Sequence, residues 1–313
     1  MNKFDLIVIG GGSGGVRAAR IAGMHGAKVA LCEKDRMGGT CVIRGCIPKK
    51  ILFYSAQYNN TISNARYYGW NIKKFSKDFK ELIFNKNKEL KRLESIYENN
   101  VKKAGVKIFY NEACLESKNI VKVGDAKLFA KNIILATGGT PKTLDVIGKE
   151  YCINSDQIME LQKIPKKLSI VGSGYIAIEF AFIFASLGSK VDLICRKNIL
   201  RGFDSHLVKL VRERLISAGV NVFLGEQVKK ISLHKSFKKV FLKNNKQVLL
   251  ANQILVAIGR EANVARLNLN KVGIKVNQKK AIKVDRNLKT NISNVYAIGD
   301  VTDRINLTPV AIV

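Results

Sequence analysis

The chain has 313 residues, 47% of them hydrophobic, enough to bury a sizeable core and to form two domains of ordinary size. Its 54 basic against 24 acidic residues leave a formal charge of +30, yet the lysines are spread along the chain with no aromatic RNA-binding motif, zinc finger or repeat; this excludes specific nucleic-acid recognition and leaves steering of anionic cofactors and substrates. No apolar run reaches membrane-spanning length and no signal-peptide pattern opens the chain, so a cytoplasmic protein with no membrane partner is expected.

The first predicted element is an apolar strand over residues 4–9. The turn GGGSGG follows, then an alanine-rich helix to about residue 26, a second strand over 27–32, and Glu33 at its end. Gly10, Gly12 and Gly15 have the GxGxxG spacing, which lets the backbone turn tightly and brings a pyrophosphate to a helix N-terminus. Glu33 is placed to accept hydrogen bonds from an adenosine ribose. Next comes GGTCVIRGCIPKK over 38–50, with Cys41 and Cys46 five residues apart. Cys32, Cys114, Cys152 and Cys195 are scattered, which fits free thiols in a reducing compartment. A structural zinc at Cys41 and Cys46 would need further ligands that the chain does not offer in any paired pattern. Pro48 is compatible with the first turn of a helix and would distort a deeper position.

Residues 73–103 are polar and lysine-rich, with helical spacing through Phe79, Ile83, Leu90, Leu93 and Tyr97. IILATGGTP at 133–141 reads as a strand ending in small residues, where the chain passes close to a cofactor or leaves a domain. A second nucleotide unit occupies 167–195. Its strand runs into Gly172, Ser173, Gly174, Tyr175 and Ile176, a helix covers 179–187, and another strand covers 190–195. ILVAIGR at 254–260 is the counterpart of 133–141, and VYAIGD at 295–300 is a further buried strand. The expected class is α/β, with two Rossmann-like dinucleotide-binding domains and the second inserted into the first. Residues 1–141 and 261–313 would form one, and residues 142–260 the other.

Two such units imply two dinucleotides, most simply a flavin in one domain and a nicotinamide in the other. A flavin can take hydride from a nicotinamide and pass two electrons to a disulfide, so Cys41 and Cys46 read as the relay that completes the path. At the opening of a helix, the dipole and free N–H groups would favour thiolate there.

GGTCVIRGCIPKK, with GGGSGGVRAAR, IILATGGTP, GSGYIAIEFA and VYAIGD, closely resembles the FAD-dependent pyridine nucleotide-disulfide oxidoreductases, in family order and at family spacing. By that resemblance Cys46 would face the flavin and Cys41 would be the interchange thiol. Lys50 would lie near the flavin and pair with Glu179, Tyr175 would gate the ring, and Asp300 would hold the ribityl chain. Ser13, Gly14, Gly39, Thr40, Thr137, Gly138 and Thr308 would complete the FAD site, and Gly172, Gly174, Ile176 and Gly259 the NADPH site.

Within the family the substrate residues are similar to those of glutathione reductases. Arg20, Ser13 and Tyr97 fall at the positions that bind glutathione disulfide, and a basic residue suits that anionic substrate. Arg196, with Arg201 soon after, stands where an NAD enzyme would place an acid; a guanidinium there matches the 2′-phosphate of NADP. NARYYGW at 64–70 and the residues before Gly45 are closer to this branch than to dihydrolipoamide dehydrogenases or mercuric reductases. The alternatives are a dihydrolipoamide dehydrogenase or related flavin disulfide reductase, and an FAD-dependent NADPH oxidase, diaphorase or non-catalytic FAD-binding chain.

The chain departs from the family pattern at LTPVAIV, beyond which the family has a dimerisation domain carrying a histidine–glutamate acid–base pair. His25, His206 and His234 do not match it. The expectation is that the intact protein is a homodimer, and that residues 1–313 bind FAD and accept electrons from NADPH but turn over glutathione disulfide poorly.

Overall fold

The computed structural model describes residues 1–312. They divide into two compact units. Residues 1–47, 88–140 and 260 onward form the first, and residues 48–87 and 141–259 form the second.

The first unit is built around the strand Asn2–Ile9, which lies between Val29–Glu33 and Ala126–Leu135 in a parallel arrangement. Lys107–Tyr110 extends the sheet beyond Val29–Glu33, and Val295–Ala297 pairs with the end of Ala126–Leu135. The start of Ala126–Leu135 pairs antiparallel with Ile120–Val123, which in turn pairs with Ala113–Leu115. Alternate residues of the central strand serve opposite cores, as the two-residue period of a strand requires. Ile7 and Ile9 pack with Leu128, Ile133 and Val295, whereas Val8 packs with Val16 and Ala19 of the helix Ser13–Met24.

In the second unit the strands Val220–Leu224, Lys190–Cys195, Lys167–Val171, Gln253–Val256 and Ile153–Asn154 form an all-parallel sheet in that order. Val228–His234, Phe237–Leu242 and Val248–Ala251 make a separate antiparallel sheet. The fold is thus α/β, with a Rossmann-like sheet in each unit. The helix predicted over 179–187 starts earlier, at Tyr175–Ser186, directly after Gly174.

That helix is apolar almost all round, with Ala177, Ile178, Phe180, Ala181, Ile183 and Phe184 buried. Such a helix needs cover on more than its sheet side. Leu52, Ala56, Phe79 and Ile83 join its apolar cluster. For this reason residues 48–87 belong with the second unit, although the sequence places them within 1–141. The remaining divisions fall at 140/141 and 259/260.

Lys86, on the helix Phe79–Lys103, is fully buried and anchors the same segment. Its ammonium donates to the Met159 carbonyl at 2.6 Å and to Glu160 Oε1 at 2.7 Å. Glu160 is half exposed and can return to water, whereas Met159 is buried. Lys86→Ala should therefore lower the unfolding free energy by about 2–4 kcal/mol, through the cavity and the lost carbonyl partner. Urea denaturation measures it. A change within about 0.5 kcal/mol, as at an ordinary surface position, would contradict the anchoring role. Among the described residues no helix is long and apolar enough to cross a membrane.

Candidate active site

In the first unit the glycine-rich turn joins Asn2–Ile9 to Ser13–Met24 with almost no room for side chains. A Cβ on Gly15 would lie 1.9 Å from the Gly10 carbonyl oxygen, and one on Gly39 would lie 2.5 Å from Gly12 Cα. The nucleotide turn and the start of the cysteine segment are therefore packed backbone on backbone. Gly38 N–H donates to the Gly11 carbonyl at 2.8 Å, tying the two together. Ser13 and Gly14 open the helix, where free N–H groups face an incoming anion.

Glu33 closes the strand Val29–Glu33 and leans over this turn. Its Oε2 accepts from Gly11 N–H at 2.6 Å and its Oε1 from Asp35 N–H at 2.8 Å. Gly10, Glu33 and Thr137 line one cleft with Asn111, Ala113 and Asn263. Thr137 and Gly138 are held in place by Asn263: Thr137 Oγ1 donates to its carbonyl at 2.7 Å, and its N–H donates to Gly138 at 2.9 Å.

Cys41 lies in the short helix Gly39–Ile43, and Cys46 is the first residue of the helix Cys46–Asn64. Pro48 is thus the third helical residue, in the first turn, where its missing N–H leaves no helical bond unmade. Cys41 is partly buried and Cys46 exposed. A hydrogen bond with the Cys46 sulfur, then burial, holds the Cys41 proton far above the ordinary thiol range, while a hydrogen bond with Thr308 acts the other way. A thiol that keeps its proton by donating it to a neighbouring sulfur leaves the negative charge of the pair on that neighbour.

Tyr97 is partly buried, and its hydroxyl is shifted upward by burial first and by Cys41 second, with Arg20 opposing. The structure thus brings Arg20, Tyr97, Cys41 and Thr308 into one neighbourhood. Arg20 Nε is buried there with no hydrogen-bond partner among the described residues. Asp300 sits in the turn Gly299–Thr302; burial raises its carboxyl and Arg260 lowers it in part. Arg260 was not singled out in the sequence. It donates to Thr40 Oγ1 at 3.2 Å and to the Gly139 carbonyl, fixing the residue next to Cys41. Its only signal is the arginine that ends ILVAIGR.

The second unit repeats the turn at Gly172, Gly174, Tyr175 and Ile176. A Cβ on Gly172 would lie 2.2 Å from the Ala257 carbonyl, and Gly174 is the N-cap of the helix. Tyr175 is half exposed. Arg196 and Arg201 both lie exposed beyond the strand Lys190–Cys195, and Gly259 lies beyond Gln253–Val256.

One predicted pairing is corrected. Lys49, not Lys50, binds Glu179, with Nζ 2.6 Å from Oε1. Lys50 is exposed, and its ammonium lies 5.6 Å from the Tyr54 ring centroid. The reason is helical phase, since successive residues are rotated by about 100° and adjacent lysines cannot both address Glu179. His25, His206 and His234 lie on the helix cap after Met24, the helix Ser205–Ser217 and the end of Val228–His234.

The site residues fit dinucleotides: two turns that exclude side chains, an acid over the first and two exposed guanidinium groups beside the second. A family model described as pyridine nucleotide-disulphide oxidoreductase matches residues 4–313. A glutathione reductase of Burkholderia cepacia is 42% identical over 310 residues, covering 99% of this chain and 69% of the relative. A trypanothione reductase of Trypanosoma congolense is 36% identical over 335 residues, covering 99% and 68%. Among solved structures, the HOCl-induced flavoprotein disulfide reductase RclA of Escherichia coli superposes with a TM-score of 0.89 at 27% identity, covering 98% of this chain and 68% of that one.

Proposed function

The chain belongs to the pyridine nucleotide-disulphide oxidoreductases, a family that binds FAD and NADPH and reduces disulfides through a cysteine pair, and within it we propose that this protein acts on glutathione disulfide. The observation that carries this reading is the buried, unpartnered Nε of Arg20 in the neighbourhood of Tyr97 and Cys41. A guanidinium whose Nε–H has no partner among the described residues is suited to a substrate carboxylate. A cationic disulfide would be repelled there.

FAD, when bound, supplies two-electron transfer between NADPH and a disulfide. The chain's own residues do the rest. The first unit would hold FAD at the Gly10–Gly15 turn, with Glu33 at the ribose, and the second would hold NADPH at the Gly172–Gly174 turn. Arg196 and Arg201 would receive the 2′-phosphate. The ion pair of Lys49 with Glu179 would take the role that the resemblance gives to Lys50, and Tyr175, at the head of its helix, would move as the nicotinamide enters. Cys46 would carry the thiolate and take up the Cys41 proton as Cys41 attacks the substrate sulfur; the glutathione thiolate released would then receive that proton, leaving the other glutathione joined to Cys41, and Cys46, a thiolate again, would displace it as a second thiolate and restore the disulfide.

The test is a substrate comparison with prereduced protein. Glutathione disulfide should oxidise the Cys41–Cys46 pair at least about tenfold faster than oxidised lipoamide or trypanothione disulfide, a preference of the size one buried charged contact supplies. Equal rates, or faster oxidation by either rival, would overturn the assignment. The nucleotide is tested separately. Arg196→Glu should weaken NADPH-driven flavin reduction by about tenfold or more, while NADH-driven reduction changes by less than about twofold; equal losses would refute the role given to Arg196.

A further inference from the structure

The segment between the two cysteines is held at both ends. The helix Gly39–Ile43, which carries Cys41, begins where Gly38 N–H donates to the Gly11 carbonyl. It ends at Arg44, whose N–H donates to the Thr40 carbonyl at 3.0 Å. Beyond Arg44 only Gly45 separates it from Cys46, so the Arg44–Gly45 joint sets the placement of one sulfur relative to the other. The Arg44 guanidinium then reaches out of the segment and forms an ion pair and hydrogen bond with the Asp35 carboxylate. Asp35 is itself fixed, because its N–H donates to Glu33 Oε1 at 2.8 Å. Glu33 also accepts from Gly11 N–H, so both ends of the Cys41 helix are referred to the same nucleotide turn.

We infer that Arg44 is a positioning residue: tied to Asp35, it braces the joint between Cys41 and Cys46 and so sets how readily their disulfide closes. This rests on the reading of Cys41 and Cys46 as the redox pair. Closing the bond converts two thiols into one disulfide with loss of two protons and two electrons. In the dithiol, the backbone is free to relax unless something outside the segment holds it. With the Gly38 end fixed by backbone and the Arg44 end fixed by a side chain, the sulfurs stay at high effective concentration, which favours the disulfide. Without the guanidinium, the Gly38 end stays held while the joint before Cys46 is released, and the dithiol gains freedom.

The equilibrium can be read without cofactor chemistry. The protein is incubated in mixtures of reduced and oxidised dithiothreitol, the oxidised form taking up the two electrons and two protons as its own dithiol. The thiol state of the peptide holding Cys41 and Cys46 is then read by alkylation and mass. Arg44→Ala and Asp35→Asn should each shift the balance toward dithiol by about two- to fivefold, the range of a partly exposed ion pair. That corresponds to a potential about 10–20 mV less negative. The double variant should shift no further than either single one, as for two residues acting through one contact. Arg44→Lys, which keeps the charge, should recover part of the shift.

Shifts absent in both single variants, or additive in the double, would overturn the inference while leaving the redox pair intact. A wild-type pair that stays dithiol at every ratio would instead overturn the redox assignment itself. An ordinary surface ion pair would affect stability alone and leave the dithiol balance unmoved.

Discussion

Cys41→Ser should abolish the reaction of prereduced protein with glutathione disulfide, by on the order of 10³-fold or more, the usual consequence of removing an attacking nucleophile. Flavin reduction by NADPH should proceed at close to the wild-type rate, because no bond to Cys41 is made or broken in that step. The asymmetry follows from the local geometry. Cys41 shares its neighbourhood with Tyr97 and the buried Nε of Arg20, whereas Cys46 stands at the start of the helix Cys46–Asn64. Cys46→Ser should behave differently: Cys41 can still attack, but the mixed disulfide with glutathione then persists, because the sulfur that resolves it is gone. Mass measurement after quenching distinguishes the two. Persistent adduct on Cys46 in the Cys41→Ser variant would reverse the assignment of the two sulfurs.

Gly15→Val should weaken FAD binding by on the order of 100-fold, equivalent to about 3 kcal/mol. The obstacle is the Gly10 carbonyl, 1.9 Å from where the new Cβ would stand, in a turn whose other side is closed by Ala136. Backbone cannot yield there without displacing the free N–H groups at the start of the helix Ser13–Met24, which are the groups proposed to receive the pyrophosphate. NADPH binding should survive, since Gly172 and Gly174 belong to the separate second unit. Equilibrium titration with each nucleotide reads both. Wild-type FAD affinity in the variant would show that the turn is not the FAD site, and joint loss of both affinities would show that the valine unfolds the chain instead.

Much of this is legible in the sequence because it is local. A strand, a turn too tight for Cβ atoms and an alanine-rich helix are set by neighbouring residues, and both copies are found where the pattern puts them. The cysteine segment is legible for the same reason, including the compatibility of Pro48 with a first helical turn. What escapes is decided by packing between distant residues. Nothing in 48–87 announces that Leu52, Ala56, Phe79 and Ile83 cover a helix beginning more than ninety residues later; the cue is the nearly unbroken apolar sequence of Tyr175–Ser186, which leaves no face fit for water. Lys49 and Lys50 are chemically identical neighbours, and only the rotation of the helix separates the partner of Glu179 from a solvent-facing residue. Arg260, through Thr40 and the Gly139 carbonyl, and Arg44, through Asp35, likewise act by side-chain contacts that leave no periodic trace.

The central claim is that Cys41 and Cys46 receive electrons that enter as NADPH. An anaerobic titration of the FAD-loaded protein with NADPH tests it most directly. The prediction is a long-wavelength thiolate-to-flavin absorbance band that grows through the first equivalent, accompanied by two new titratable thiols, and that is absent in Cys46→Ser. Complete bleaching of the flavin in the first equivalent, with no such band and no new thiols in the wild-type chain, would contradict it.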